Sequence, residues 1–256
     1  MDLGLEGRVA LVAASSSGLG LAVAKTLAAE GAHVSICGRS PGRLARAHAE
    51  ISSVAKGEVL SVPVDVRDDR AAAAWVRQTA ETFGGLHIVV TNSGGVPFGP
   101  VESFGVCDYR EALETNLLPH VSITLAALPL VKQSGWGRLL MITSEAVRQP
   151  DPASGLSSVA RLGLLGYMKG LVHALGPSGV TVNVLAPGFH RTPILDEQFG
   201  ADVDAEIARV ARHIPLRRIG DVAEFGALAA FLASDHASYV TGTVLVIDGG
   251  NTRGIG

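Results

Sequence analysis

Short apolar runs alternate along this chain with longer segments in which apolar residues recur at helical spacing. Seven runs read as buried strands, at residues 9–14, 34–37, 59–64, 86–90, 139–142, 180–185 and 244–247. The clearest helical segments lie at residues 21–30, 43–52, 70–83 and 222–233. Strands that alternate with helices are typical of a parallel sheet covered on both faces. The pattern predicts a single α/β domain over residues 1–256, with a doubly wound, parallel seven-stranded sheet flanked by helices.

The composition narrows the classes of function. The 256 residues carry a net charge of −3 without a basic block, which argues against a nucleic-acid-binding surface. Cys37 and Cys107 have neither metal-ligand spacing nor a disulfide framework, so we predict no metal site. The first residues show no signal pattern, and Pro119 and Pro129 interrupt the longest apolar stretch, which favours a buried helix over a membrane span. We therefore expect a cytoplasmic protein without a membrane partner.

A glycine-rich turn follows the first predicted strand and opens the first helix. Gly18 and Gly20 would let a dinucleotide pyrophosphate approach the backbone, where N–H groups at the helix start can bind it. Hydroxyl groups from three serines can donate to phosphate. The predicted phosphate-binding residues are Ala14, Ser15, Ser16, Ser17, Gly18, Leu19 and Gly20. Such a turn is weak evidence alone, because many helix starts carry glycines.

The end of the second predicted strand bears on the choice of dinucleotide. A site selective for NAD(H) would place Asp or Glu there to accept from the ribose hydroxyls. This chain has Gly38 followed by Arg39. A guanidinium can pair with a 2′-phosphate and stack on adenine. The residues predict NADP(H), with NAD(H) as the second choice; a solvated surface charge is the other interpretation of Arg39.

Several motifs in one order resemble the short-chain dehydrogenase/reductase family across the whole chain. They are the glycine turn, Thr91-Asn92-Ser93-Gly94, Ser144, Pro187-Gly188 with Thr192, and Asp248-Gly249-Gly250. The resemblance implies a Rossmann-type fold and cofactor contacts from Asp65, Val66, Asn92, Ser93, Gly94, Arg161, Pro187, Gly188 and Thr192. The family's first glycine of the turn is Ala14 here, so we expect the turn to avoid positive φ at that residue. The chain is similar to 3-oxoacyl-carrier-protein reductase-like members, a label that fixes no substrate.

The same resemblance implies a catalytic Ser, Tyr, Lys and Asn, of which the chain keeps two. Ser144 and Asn116 match, whereas Ser157 and Arg161 stand in the places of the Tyr and the Lys. Four residues apart on a helix, Ser157 and Arg161 share a face. Arg161 keeps the charge but cannot act as a proton reservoir, and an aliphatic hydroxyl is a far weaker acid than a phenol. We expect a water on Ser157, or His190, to supply the proton. Glu145 and Asp151 flank Ser144 and are alternatives, with a solvated surface charge as the other interpretation of each.

These residues favour an NADP(H)-dependent oxidoreductase that interconverts a carbonyl and an alcohol on a small-molecule or acyl substrate. Two alternatives stay open: a cofactor-binding sensor or scaffold without redox turnover, and a non-redox lyase or dehydratase. Residues 189–215 lack a strand pattern and are predicted to form a lid over the site. The family usually pairs through two long helices, here at residues 106–133 and 155–175. A homo-oligomer, dimer or tetramer, is therefore expected, although the apolar residues of these helices could equally belong to the core.

Overall fold

The sheet contains seven parallel strands in the order β3-β2-β1-β4-β5-β6-β7. This computed structural model describes residues 1–254, with side chains at every position except 194, 197 and 198. The strands are β1 (Val9–Val12), β2 (His33–Gly38), β3 (Val59–Pro63), β4 (Ile88–Thr91), β5 (Gly137–Ile142), β6 (Val180–Pro187) and β7 (Val244–Ile247). Each overlaps a predicted run, and the predicted sheet is confirmed. The last two residues of the predicted domain, 255 and 256, lie outside the described residues.

Helices cover both faces of the sheet. In residues 1–254 they are α1 (Gly18–Ala29), α2 (Pro41–Ser52), α3 (Asp69–Phe83), α4 (Val106–Asn116), α5 (Leu118–Gln133), α6 (Gly155–Leu175), α7 (Pro193–Phe199), α8 (Val203–Ala211) and α9 (Val222–Leu232). One buried cluster packs α1, α2 and α9 against the sheet, and a second packs α3, α5 and α6 against the opposite face. The doubly wound architecture is thus confirmed. None of these described helices is both long and apolar enough to cross a membrane.

The segment predicted as one long helix over residues 106–133 is broken, so that prediction was wrong. Leu117 separates α4 from α5 and has φ −120° and ψ −60°. Pro119 has no N–H to continue the ladder, and its ring excludes the carbonyl of Thr115 four residues earlier. The break leaves Asn116 as the last residue of α4, with an exposed fraction of 0%.

The segment predicted as a lid, residues 189–215, holds α7 and α8 and lies between β6 and α9. Arg191 ties its two helices together, with contacts of 3.3 Å to Asp196 and 2.9 Å to Asp204. The Gly220 N–H also donates to Phe189 O at 2.8 Å, which anchors the start of the segment. The side chains at 194, 197 and 198 lie outside the described residues, and the closing motion of the segment stays a prediction.

The strand order places a crevice at the carboxyl ends of β1 and β4. The chain runs outward from β1 through β2 to β3, then returns to β4 on the other side of β1. Ligands of open α/β sheets bind at such a switch point. The segments that follow β1, β2, β4, β5 and β6 therefore converge on one edge of the sheet.

Candidate cofactor-binding and active site

The turn after β1 is held by hydrogen bonds to both neighbouring strands. The Ala13 N–H donates to Val90 O at 2.9 Å, and the Ser15 N–H donates to Cys37 O at 3.0 Å. Because the chain changes its partner strand within two residues, Ala14 between them adopts φ +47°. The expectation that the turn avoids positive φ at Ala14 was wrong. The hydrogen bonds on either side impose a conformation that glycine would adopt without strain.

Gly18 and Gly20 form a cradle at the start of α1. A Cβ atom on Gly20 would lie 2.7 Å from Ala14 O and 3.1 Å from Asn92 Nδ2, so a side chain does not fit. Asn92 Nδ2 also donates to Ala14 O at 3.3 Å. Gly18 has φ +57° and faces the methyl group of Thr192, 3.4 Å from the Cβ position. The bare backbone and the N–H groups at the start of α1 suit a phosphate.

The serines of the turn have different surroundings. Ser15 is fully buried, and its Oγ donates to Val12 O at 2.7 Å and accepts from the Cys37 N–H at 3.3 Å. This hydroxyl therefore stabilises the turn from inside. Ser17 is the N-cap of α1, yet its side chain makes no capping hydrogen bond. The half-buried side chains of the turn are Ser16, Ser17 and Leu19, of which the serines can offer a hydroxyl to a ligand.

The last residue of β2 is Gly38, and this position has no room for an acidic side chain. A Cβ atom on Gly38 would lie 2.9 Å from Ser16 Oγ. The next residue, Arg39, is exposed, and its charge acts on the carboxylate of Asp65. A cation rather than a carboxylate thus stands where the ribose of a bound dinucleotide is expected.

Asp65, after β3, is engaged by a neighbouring arginine. Arg67 Nη2 donates to its Oδ2 at 2.7 Å, and this contact, helped by Arg39, holds the pKa of Asp65 below its usual value. Val66, the next residue, is buried. The predicted contacts of Asp65 and Val66 with the adenine stay predictions.

A polar network lies beneath the end of β4. His120 Nδ1 lies 2.7 Å from Thr91 Oγ1, and His120 Nε2 lies 3.3 Å from Ser93 Oγ. Asn116 Nδ2 donates to Ser93 Oγ at 3.2 Å and to Gly94 O at 2.6 Å. The Asn116 Oδ1 is buried and has no hydrogen-bond partner among the described residues. An acceptor left open in this way fits a site that a bound molecule or a water completes.

His120 is the member of this network that sequence reasoning missed. Burial, with a smaller effect of the Arg161 charge, lowers its pKa to about 3, so the ring is neutral near pH 7. In the sequence His120 lies within the longest apolar stretch, next to Pro119, and that pattern alone assigns it no function. The available signal was its position four residues after Asn116, together with the hydroxyl side chains Thr91 and Ser93 after β4.

Helix α6 carries Ser157 and Arg161 to the end of β5. Arg161 is 8% exposed; its Nε donates to Ser157 Oγ at 3.1 Å, and its Nη1 donates to Thr143 O at 3.1 Å and to Ile142 O at 3.3 Å. Burial lowers the pKa of Arg161 to about 10, which still leaves it charged at neutral pH. The guanidinium therefore supplies a fixed positive charge, and Ser157 accepts from it.

Ser144 stands beside this pair at the start of the segment after β5. Its backbone is extended, with φ −159° and ψ 153°, and its Oγ accepts from the Ala146 N–H at 3.2 Å. Since the oxygen accepts within the protein, the hydroxyl hydrogen can donate to a substrate oxygen.

The segment after β6 begins with Pro187, the last residue of the strand, and Gly188. A Cβ atom on Gly188 would lie 2.6 Å from Asp248 Cβ and 2.9 Å from Glu145 Oε2, so only glycine fits. His190 is 4% exposed; its Nδ1 lies 3.0 Å from Gly188 O, and its ring meets that of Phe225 edge to face at 5.6 Å. In the described residues no hydrogen bond joins His190 to Ser144 or Ser157, and its role as a proton source stays a prediction.

Taken together, these residues fit a nicotinamide dinucleotide. The glycine cradle and the start of α1 suit a pyrophosphate, and the open acceptor of Asn116 marks an incomplete polar site near Arg161. The hydroxyl of Ser144 and the charge of Arg161 could stabilise negative charge on a substrate oxygen.

Comparisons with known proteins agree with this geometry. The sequence profile of the family described as "Enoyl-(Acyl carrier protein) reductase" matches residues 13–252. The chain is 31% identical to D-beta-hydroxybutyrate dehydrogenase from Rhizobium meliloti (strain 1021), covering 96% of this chain and 98% of the relative. It is 31% identical to 2-dehydro-3-deoxy-L-rhamnonate dehydrogenase (NAD(+)) from Sphingomonas sp. (strain SKA58), covering 96% of each. The crystal structure of L-sorbose reductase from Gluconobacter frateurii, complexed with NADPH and L-sorbose, superposes with a TM-score of 0.93 at 28% identity, covering 100% of both chains.

Proposed function

This chain belongs to the short-chain dehydrogenase/reductase family of oxidoreductases, and we propose that it uses NADP(H) to interconvert a carbonyl and an alcohol on a small-molecule or acyl substrate. One observation carries the proposal. The Ser144 hydroxyl and the buried Arg161 guanidinium lie at the end of β5, on the same edge of the sheet as the glycine cradle after β1, which a side chain would close. Polar groups that stabilise an oxyanion are thus placed at the dinucleotide crevice.

The preference for NADP(H) is supported by the end of β2. Gly38 leaves no space for a carboxylate, because a Cβ atom there would contact Ser16 Oγ at 2.9 Å. The exposed Arg39 guanidinium can instead pair with a 2′-phosphate. The sorbose reductase relative was crystallised with NADPH, whereas the rhamnonate dehydrogenase relative is named for NAD(+). NAD(H) therefore remains the second choice, and the binding experiment must distinguish it from NADP(H).

When bound, the nicotinamide supplies or accepts a hydride. Ser144 would donate a hydrogen bond to the substrate oxygen, since its Oγ already accepts from the Ala146 N–H. Arg161 would stabilise charge that develops on that oxygen and bind the ribose hydroxyls through its remaining donors. Asn116 holds the Gly94 carbonyl at 2.6 Å and so fixes the backbone after β4 against which the cofactor would lie.

The hydrogen bonding and the low acidity of Ser157 favour a second candidate function, dinucleotide binding without redox turnover. Its Oγ accepts from the Arg161 guanidinium, and no phenol stands at this position to give or take a proton. A protein that binds the dinucleotide without redox turnover, as a sensor or scaffold, is therefore the second candidate. A lyase or dehydratase that uses the same pocket stays an open prediction.

Calorimetry and absorbance at the reduced-nicotinamide band test the proposal. NADPH should bind, and Arg39→Asp should weaken that binding by about 10–100-fold, as expected for losing a charge-assisted pair. Arg46→Asp, an exposed site one turn into α2, makes the same charge change and should leave affinity unaltered. With ketones, aldehydes and 3-oxoacyl thioesters, turnover should be lost in Ser144→Ala. Tight NADPH binding without oxidation by any of these compounds would favour the second candidate instead.

Self-association is proposed from exposed apolar side chains on α4, α5 and α6. The exposed fractions are 68% for Val106, 55% for Leu125 and 52% for Val159. These exposed side chains lie on the helices through which the family usually pairs, which supports self-association. Sedimentation velocity should give a dimer or tetramer; a monomer at micromolar concentration would contradict the proposal.

A further inference from the structure

Two carboxyl side chains from distant parts of the chain lie next to Gly188, and one of them belongs to the residue that follows Ser144. Glu145 directly follows the serine after β5, and Asp248 follows β7. The Cβ atom of Asp248 lies 2.6 Å, and Oε2 of Glu145 2.9 Å, from the position of a Cβ on Gly188, so the two side chains are neighbours. Asn251 Nδ2 donates to both Glu145 oxygens, at 3.1 and 3.2 Å. Two neighbouring carboxyl groups resist double ionisation, so this pair is expected to keep one proton to a higher pH than an isolated carboxyl group does.

The surroundings decide which of the two holds the proton. Burial alone would raise the pKa of Asp248, but backbone N–H donors outweigh it, with Gly250 N at 2.8 Å and Thr252 N at 2.6 Å, so its pKa lies below the usual value. Burial, together with the Asp248 charge, raises the pKa of Glu145 to about 7 against the smaller effect of Asn251. Groups whose environments separate their pKa values in this way divide into an acid and a base.

No cation compensates Glu145 within the described residues. Asp151, in the segment between β5 and α6, adds a third negative charge near it. On the β6 side it faces the uncharged Gly188, whose carbonyl lies 3.0 Å from His190 Nδ1. The backbone N–H of Arg148 donates to the backbone carbonyl of Glu145 at 2.8 Å, and the Arg148 side chain is exposed. The charge balance around Glu145 therefore favours the protonated carboxyl.

Three other polar groups of the site, Arg161, Ser157 and His120, are unsuited to give a proton near pH 7. Arg161 stays charged, and Ser157 accepts from it as an aliphatic hydroxyl of very low acidity. His120 is neutral and inside the core, with both ring nitrogens beside hydroxyl oxygens. Glu145 differs from all three because it is half-buried, so solvent can restore its proton.

We propose that Glu145 is the catalytic acid–base residue of this site and exchanges a proton with the substrate oxygen in place of the absent phenol, a role that rests on the proposed function. In reduction, a hydride from the reduced nicotinamide dinucleotide forms the new C–H bond as the C=O π bond breaks. The electron pair passes to oxygen, which takes the proton from the Glu145 carboxyl. Glu145 is left as a carboxylate, the dinucleotide is oxidised, and solvent reprotonates Glu145. Alcohol oxidation reverses each step.

Ionisation of Glu145 can be measured without turnover. In protein labelled with ¹³C at the glutamate carboxyl carbon, the signal that disappears in Glu145→Gln should titrate near pH 7. Asn251→Ala removes a donor to the carboxylate and should move that titration to higher pH. Asp248→Asn removes the neighbouring charge and should move it to lower pH. A Glu145 signal that ionises below about pH 5, or shifts of the same sign in both variants, would overturn the inference.

Turnover separates this role from the proposed function. Glu145→Gln should lower kcat for carbonyl reduction by about 10²-fold or more while leaving the Kd for NADPH nearly unchanged. Glu145→Asp should restore part of the rate, and wild-type reduction should slow as pH rises through the Glu145 titration. Glu81→Gln, an exposed position on α3, is the matched control. If the wild type turns over and Glu145→Gln turns over equally fast, this inference alone is overturned. If neither dinucleotide binds, the proposed function and the inference are overturned together.

Discussion

Replacing Ala14 with glycine is expected to stabilise the protein although it removes a methyl group. Ala14 has φ +47°, a left-handed conformation that costs an L-residue roughly 1–2 kcal/mol. Glycine avoids this strain, but the greater freedom of the unfolded chain offsets roughly 0.4–1 kcal/mol of the gain. Since Ala14 is only half-buried, the lost methyl contact is small. The expected net change is an increase of about 0.5–1 kcal/mol in the free energy of unfolding.

Urea denaturation of two neighbouring variants provides the assay. Ala13 is fully buried and has no left-handed φ, so Ala13→Gly loses buried methyl area and gains only unfolded-state freedom. It should destabilise by about 1–2 kcal/mol. The two substitutions are chemically identical and adjacent, yet their effects should have opposite signs. If Ala14→Gly lowers the free energy of unfolding as Ala13→Gly does, the strain assigned to this turn is refuted.

Two further predictions concern the cradle and the buried histidine. Gly20→Ala would place a Cβ atom 2.7 Å from Ala14 O, so the turn must shift. The affinity for NADPH, measured by calorimetry, should therefore weaken by about 10-fold or more. An unchanged Kd would contradict this prediction. Burial lowers the pKa of His120 from 6.5 to about 3. Between these pH values the folded state therefore binds fewer protons than the unfolded state. The contribution of the neutral ring to the free energy of unfolding is present above pH 6.5 and is lost as pH falls toward 3. Wild type should therefore lose about 2–3 kcal/mol more than His120→Gln between pH 7.5 and 4.5 in urea denaturation, and parallel pH curves would contradict the assignment.

The sheet could be predicted because its strands are buried on both faces and so read as continuous apolar runs. β1 is the clearest case, because all four of its residues are apolar and buried. The break at Leu117 was not predicted, because the apolar pattern continues across it from α4 into α5. Pro119 did carry the signal, but its effect depends on the helix ladder that it interrupts and not on hydrophobicity.

Candidate site positions could be predicted from their places after successive strands, whereas side-chain contacts could not. Ser15 belongs to the glycine turn, yet its hydroxyl is turned inward to Val12 O. His190 follows β6, yet its ring packs against Phe225 of α9. The meeting of Glu145 with Asp248 depends on β5, β6 and β7 being neighbours in the sheet. The local sequence pattern predicts which residues follow each strand, whereas the contacts of their side chains depend on the packing of distant elements.

The resemblance implies that Ser157 and Arg161 stand in the places of a Tyr and a Lys, and their contacts suggest that the two replacements are linked. A guanidinium has donors on several nitrogens, and here they reach Ser157 Oγ, Thr143 O and Ile142 O together. A lysine ammonium is a compact charge that could not span these acceptors in the same way. Ser157 is short enough to accept from Nε on its own helix, one turn away. Arginine therefore keeps the positive charge beside Ser144 while it binds the end of β5, and proton transfer must pass to another group. Under the proposed function, the half-buried Glu145, which directly follows Ser144 in the chain, is the group that we propose for this proton transfer.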